Sequence, residues 1–384
     1  MRKVLMGNHA ASIAVGLARA DVVSAYPITP QTQVIELLDE LQTTGKWKGT
    51  FIRVESEHSA MAACLGAATT GARTFTASSS QGLAYMHEML HWVAGGRLPI
   101  VMADVNRALG APWILWTDQT DSLSQRDTGW MQFYCSSNQE ILDSILMAYR
   151  VAEAVMIPAM VAYDGFTLSH TYEPVDVPDQ KLVDKFLPPI KYPYALDVKK
   201  ATAFSSLALP KPYMRMRARM DADMHRALDV FKEAAKEFES IFGRRYRLIE
   251  PDRCDDAETI LVTSGAVAST AQAAINELRE EGHKAGNLKM RAFRPFPSDE
   301  LRKTLKPKQK VAVVDRNYSQ GHHGIFCEEI KSALYPLKDR PEIYGFIAGL
   351  GGGDITVELL KEIWHETHAG RADAINPVWM EDAR

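Results

Sequence analysis

Four stretches of this 384-residue sequence carry side chains able to do chemistry. The first is Ala25-Tyr26-Pro27-Ile28-Thr29-Pro30-Gln31-Thr32, where Pro27 and Pro30 fix φ on either side of Thr29 and make a stiff turn. The second is Glu55-Ser56-Glu57-His58, which opens a helix rich in Ala60, Ala62, Ala63, Cys64 and Gly66. Small residues let another backbone or a flat cofactor approach, and the helix dipole favours a charged Glu57 in the first turn. A plain helix-start carboxylate would look the same. The third is His87-Glu88-Met89-Leu90-His91, a match to H-E-x-x-H that puts two imidazoles on one helical face around a general base. It is the basis of an alternative reading as a zinc hydrolase, although Ala94 stands where the extended motif has glycine. The fourth is the long connection Val105–Asp121, in which Arg107 can hold a carboxylate through two hydrogen bonds and Trp113 and Trp116 can wall a pocket.

The elements that position these residues read as an α/β fold. Apolar runs at Lys3–Met6, Asp21–Ala25, Phe51–Val54, Arg73–Ala77, Pro99–Ala103 and Pro158–Tyr163 alternate with helical patterns, as in a doubly wound, mainly parallel sheet. Ligands bind such sheets at the carboxyl ends of the strands, where Tyr26–Thr32, Glu55–His58, Ser78–Gln81 and Val105–Ser124 fall. Ser78-Ser79-Ser80 is expected only to cap a helix. From Phe166 to Asp255 the alternation lapses into proline-studded segments and a charged helix at Asp221–Phe242. A second α/β unit starts at Ala257, with strands expected at Thr259–Thr263, Lys289–Phe293, Lys310–Val314 and Glu342–Ile347. Gly349–Gly353 is expected to be a flexible turn before a helix at Ile355–Trp364, since the acidic ribose partner of a nucleotide loop is missing. The expected division is 1–165, 166–256 and 257–384.

Composition is that of an ordinary soluble globular protein, and the length implies two or more domains: 46% hydrophobic and 24% charged residues, with 44 basic against 48 acidic side chains for a net charge of −4. No basic stripe suggests nucleic acid, and no apolar run reaches membrane-spanning length. The N-terminus turns polar too soon for a signal peptide, so the expected compartment is the cytoplasm. Cys64, Cys135, Cys254 and Cys327 lie far apart, with no C-x-x-C for a local cluster or zinc ribbon, and are expected to be free thiols.

Together these stretches resemble the α subunit of the 2-oxoacid:ferredoxin oxidoreductases, the pyruvate:ferredoxin oxidoreductase family. The matching segments are Ala25–Thr32, Val54–Ala67, Ser80–Leu90, Gln125–Tyr134 and Phe346–Thr356, in family order along nearly the whole chain. The resemblance implies a pyrimidine-type thiamine-diphosphate domain followed by a domain like the transketolase C-terminal domain. It implies CoA-dependent oxidative decarboxylation of a 2-oxo acid, with electrons passing to ferredoxin. Glu57 matches the glutamate that hydrogen-bonds the aminopyrimidine ring of thiamine diphosphate and favours the tautomer able to take the C2 proton. Pro27 and Thr29 match the Y-P-I-T-P turn beside cofactor and substrate, and Arg107 matches the arginine that binds the substrate carboxylate. The sequence lacks a G-D-G diphosphate–magnesium motif, so a β subunit is expected to hold that half of the cofactor. Iron–sulfur clusters are expected on γ and ferredoxin-like δ subunits.

One departure bears on specificity. Pyruvate-type members usually carry an Ile-His-Gly-Asp-His run where this chain has Leu115-Trp116-Thr117-Asp118-Gln119. Trp116 and Asp118 are therefore expected to shape the substrate site, and the substrate is expected to be pyruvate or a bulkier or aromatic 2-oxo acid such as phenylglyoxylate. A non-catalytic paralogue is a further alternative, against which Thr29, Glu57 and Arg107 stand together.

Overall fold

The computed structural model describes residues 1–381 and contains two twisted, mainly parallel sheets with helices packed on them. The first sheet has seven strands in the order Ala292–Arg294, Met131–Tyr134, Ala159–Asp164, Val101–Asn106, Thr74–Ser78, Val22–Ala25 and Thr50–Arg53. All neighbouring pairs are parallel except Ala292–Arg294, which runs antiparallel to Met131–Tyr134. The second sheet has six strands in the order Val378–Met380, Glu342–Ala348, Lys310–Asp315, Thr259–Ser264, Ala285–Met290 and Ile249–Asp252, the last antiparallel to its neighbour.

Parallel strands covered on both faces must be apolar throughout. Val101–Asn106 and Ala159–Asp164 are buried at every position, yet each ends in polar residues, Asp104 and Asn106 in one and Asp164 in the other. Those polar ends put chemistry at the carboxyl edge of the first sheet.

Several local expectations are corrected. The run at Lys3–Met6 does form a strand, Arg2–Met6, but outside the main sheet: it pairs antiparallel with Tyr172–Asp176. Met131–Tyr134 enters the sheet interior instead, a strand of four residues too short to give a period of its own. The expected strand Lys289–Phe293 splits: Ala285–Met290 stays in the second sheet, whereas Ala292–Arg294 crosses into the first. The charged helix runs from Pro210 to Phe242, with Pro210 pre-set for the first turn and Gly243 in the left-handed conformation after the last. Ala227, Phe231, Ala234, Ala235 and Phe238 bury its C-terminal half in the core of the first sheet unit, with Phe231 stacked on Phe133 at 5.4 Å.

An ionic cluster joins the two sheets. Glu140, near the start of the helix Asn138–Val155, meets Lys289 and Arg291 from the strand crossing. Arg291 also pairs with Glu250 at 2.6 Å. Although burial alone would raise it, the two cations hold the Glu140 carboxyl down to about 2.

Candidate active site

Ser56 caps the helix Glu57–Thr69 by accepting from the Ser59 backbone N–H at 3.2 Å. Its first residue, Glu57, is 8% exposed, and its carboxylate finds no hydrogen-bond partner in another described residue. Burial raises its pKa, offset in part by its own backbone N–H. Gly82 packs directly over it: a β-carbon at Gly82 would lie 2.5 Å from Glu57 Oε1 and 2.7 Å from Ser78 Oγ. The hydroxyls of Ser78 and Ser79 are buried with no hydrogen-bond partner among the described residues. An unpaired buried carboxylate beside unpaired hydroxyls is costly in an isolated chain and points to a ligand that supplies donors.

The serine run is not a cap, contrary to expectation. The Ser79 side chain makes no capping bond, and Ser80 sits at φ +49, an uncommon conformation for a residue with a side chain. What holds Ser80 there is Asp121: the Ser80 N–H donates to Asp121 Oδ2 at 2.9 Å, and its hydroxyl donates to Ala108 O at 2.7 Å.

Asp121 is the hub of the adjoining loop. Its Oδ2 also accepts from the Arg107 backbone N–H at 2.9 Å, and its Oδ1 accepts from Asn106 Nδ2 at 2.9 Å and from the Ser122 N–H at 2.8 Å. The same Asn106 amide donates to Asp104 Oδ2 at 2.8 Å, whereas Asp104 Oδ1 has no partner among the described residues. Burial, and then the charge of Asp121, push Asp104 well above the usual carboxylate range. Four N–H donors make Asp121 the charged member of the pair and Asp104 the protonated one. This network was not anticipated, although a lone aspartate inside the apolar run Val101-Met102-Ala103-Asp104-Val105 is a signal for it.

Arg107 is 4% exposed, with Nε donating to Ile114 O at 2.8 Å and Nη1 to Thr29 O at 3.0 Å. The turn of Thr29 and the loop of Arg107 are thus joined across the sheet edge. Nη2 makes no hydrogen bond to a described residue, and the guanidinium lies 5.5 Å from the centre of the Trp113 ring. Pro27 and Thr29 are exposed, with Pro27 at the rim of a hollow that also takes in Ala25, Phe51 and Val54.

The two indoles divide their work. Trp113, 72% exposed, covers Arg107. Trp116 packs against Phe166 at 4.6 Å between ring centres, and its main chain is bound by the Ala108 N–H at 3.0 Å. Asp118, expected near substrate, is buried with both oxygens engaged: Oδ1 accepts from Thr120 and Oδ2 from the Gly351 N–H at 3.3 Å. Its carboxylate ties the loop to the second sheet unit. The Gly349–Gly353 turn, expected to be flexible, is held by Arg316, which donates to Gly349 O at 2.9 Å and Gly353 O at 3.2 Å while pairing with Asp164 at 3.0 Å.

His87 and His91 face each other, Nε2 to Nε2 at 3.3 Å, on an exposed helix face. Glu88 turns to His58 at 3.5 Å and to the Trp92 indole, and no third metal ligand joins the two histidines among the described residues. The hydrolase alternative therefore has no general base and no closed ligand set. All four cysteines are buried free thiols. No helix among the described residues is long and apolar enough to cross a membrane.

Residues 13–236 match the family described as pyruvate flavodoxin/ferredoxin oxidoreductase, thiamine diP-binding, and residues 257–360 match pyruvate:ferredoxin oxidoreductase core domain II. Ketoisovalerate oxidoreductase subunit VorA of Pyrococcus abyssi is 52% identical over 365 residues, which cover 94% of this chain and 92% of that one. Pyruvate synthase subunit PorA of Methanothermobacter thermautotrophicus is 48% identical over 367 residues, covering 95% of each. In fold, the chain is similar to 2-oxoglutarate:ferredoxin oxidoreductase from Magnetococcus marinus, with a TM-score of 0.75 at 20% identity over 96% of this chain and 65% of that one. It is also similar to a split-gene transketolase, with a TM-score of 0.56 at 11% identity over 96% of this chain and 99% of that one.

The architecture is that of the thiamine-diphosphate enzymes. The chain belongs to the 2-oxoacid:ferredoxin oxidoreductase family and is an oxidoreductase subunit of the VorA/PorA type.

Proposed function

We propose that this chain is the α subunit of a CoA-dependent 2-oxo acid:ferredoxin oxidoreductase and contributes the aminopyrimidine half of a thiamine diphosphate site. The observation that carries this is the Glu57 carboxylate: buried, raised in pKa, without a hydrogen-bond partner among the described residues, and held in place by the close packing of Gly82 against it. Such a group suits a ring nitrogen able to share a proton with it. Ser78 and Ser79 add hydroxyls with unused hydrogen-bonding capacity, and Pro27 and Thr29 border the same edge. When bound, thiamine diphosphate supplies a carbon nucleophile for the substrate ketone. Arg107 offers its free Nη2 to the substrate carboxylate, with Nε and Nη1 already locked to backbone carbonyls, so little freedom is lost on binding. Trp113 shields that guanidinium and strengthens its pairing.

The chain has neither a G-D-G diphosphate motif nor a C-x-x-C cluster motif. A β subunit accordingly holds magnesium and diphosphate, and γ and δ subunits carry the iron–sulfur path to ferredoxin, all in the cytoplasm. The substrate is a 2-oxo acid larger than pyruvate, and 2-oxoisovalerate is the first choice. Two features support it: the relatives at about 52% identity are named for ketoisovalerate, and the loop departs from the pyruvate pattern at Leu115–Gln119. The test is turnover of the co-expressed complex with CoA and a viologen acceptor on pyruvate, 2-oxoisovalerate and phenylglyoxylate. Acyl-CoA formation fastest from 2-oxoisovalerate supports the reading, and turnover of none of the three overturns it.

A further inference from the structure

The loop that carries Arg107 does not stand on its own sheet. Gly352, at φ +86, leaves no room for a side chain, since a β-carbon there would lie 2.3 Å from Trp116 Cβ. The neighbouring Gly351 N–H holds Asp118, and Gln119 is gripped by the Arg316 carbonyl at 2.9 Å and by Ser264 Oγ at 3.0 Å. All four partners belong to the second sheet unit. On its other side the same loop is closed by Ala108 N–H to Trp116 O and by Arg107 Nε to Ile114 O. An unbroken series of contacts therefore runs from Gly352 through Trp116 and Ala108 to Arg107.

We propose that the Gly349–Gly353 turn is a specificity element of the 2-oxo acid site, with Gly352 and Asp118 acting as positioning residues that set where Trp116 and the Arg107 guanidinium stand. This rests on the substrate reading given above. It makes the second sheet unit part of substrate selection, although none of its residues belongs to the carboxylate clamp. The physical reason is that a close-packed contact without slack transmits displacement, and an oriented clamp is sensitive to small displacements. Glu57, which opens the helix Glu57–Thr69 after a different strand, shares no hydrogen bond with these residues among the described residues.

The test uses the co-expressed complex carrying Gly352→Ala, Asp118→Ala, Trp116→Gly or the pair Gly352→Ala/Trp116→Gly. Gly352→Ala should raise KM for the preferred 2-oxo acid by about tenfold and narrow its lead over the other acids, an effect below the roughly hundredfold that a full ångström of misplacement can cost. Asp118→Ala, which adds no atom, should move both quantities in the same direction. Deuterium exchange at C2 of bound thiamine diphosphate should stay at the wild-type rate in both, which a general loss of structure would not allow. Because Trp116→Gly removes the β-carbon that collides, adding Gly352→Ala to it should change KM several-fold less than Gly352→Ala does alone, the remainder being the strain of an alanine at φ +86. Unchanged KM and ranking in both single variants overturn the proposal, as does a Gly352→Ala effect equally large without the Trp116 side chain. A wild-type complex that turns over no 2-oxo acid instead overturns the substrate reading beneath it.

Discussion

Gly82 and Glu57 are packed so that a single methyl group on the first would lie 2.5 Å from the carboxylate oxygen of the second. The two residues come from the connections after Thr50–Arg53 and Thr74–Ser78, the strands on either side of Val22–Ala25 in the sheet. Gly82→Ala should therefore act on Glu57 rather than on the fold. We expect C2 deuterium exchange of the bound cofactor to slow by about tenfold or more, the scale of a misplaced acid–base group. Wild-type exchange in Gly82→Ala would mean that the carboxylate has slack which this packing denies.

Arg107→Ala should raise KM and lower turnover while cofactor binding and C2 exchange stay intact. Loss of a charge-assisted pair in a closed site costs about 2–5 kcal/mol. Arg107→Lys should recover little, since a lysine cannot reproduce the fork that bonds Thr29 O and Ile114 O while leaving a nitrogen free. Normal handling of the 2-oxo acid by Arg107→Ala would place the carboxylate elsewhere.

Trp113 and Trp116 should separate in function. Trp113→Ala uncovers the Arg107 guanidinium and should weaken binding of every 2-oxo acid by a similar factor, about 0.5–2 kcal/mol for a cation–π contact and its shielding. Trp116→Ala loses the tilted ring contact with Phe166 and should change the ranking of acids more than the mean affinity. Comparison of kcat/KM for three acids in each variant checks this, and identical effects of the two substitutions would refute the division.

The Asp104–Asp121 pair predicts a pH dependence. Burial and Asp121 raise the Asp104 pKa in the folded chain above its unfolded value. Stability from such a group is fully present below the unfolded pKa and is lost as pH rises through the folded one. Asp104→Asn, which mimics the protonated acid, should remove that loss and lessen the fall in melting temperature as pH rises above the unfolded value of about 3.9. An unchanged slope in the variant would show that Asp104 does not titrate over that range.

Much of the site could be read from the chain because its pieces are local. Thr29 between two prolines, Glu57 opening a helix of small residues and Arg107 after an apolar strand each announce themselves within about ten residues, the scale of one element and its cap. What could not be read was how those pieces are seated. The bond from Gly351 to Asp118 spans 233 residues, and no periodicity in either segment points to the other. The strand Ala292–Arg294 joins the first sheet from within the second unit's sequence, so the boundary expected near 257 is crossed by a strand that the pattern merged with its neighbour. The serine run misled for a related reason: Ser78-Ser79-Ser80 has the composition of a cap, but Asp121, 41 residues from Ser80, claims its backbone.

The central claim is that Glu57 of this chain activates a thiamine diphosphate whose other half lies on a partner subunit. Deuterium exchange at C2 of the cofactor bound to the complex measures that directly, without substrate or electron acceptor. Glu57→Gln should assemble normally, retain the cofactor and exchange about two orders of magnitude more slowly than wild type, or slower still. Exchange at the wild-type rate in an assembled, cofactor-loaded Glu57→Gln complex would contradict the account.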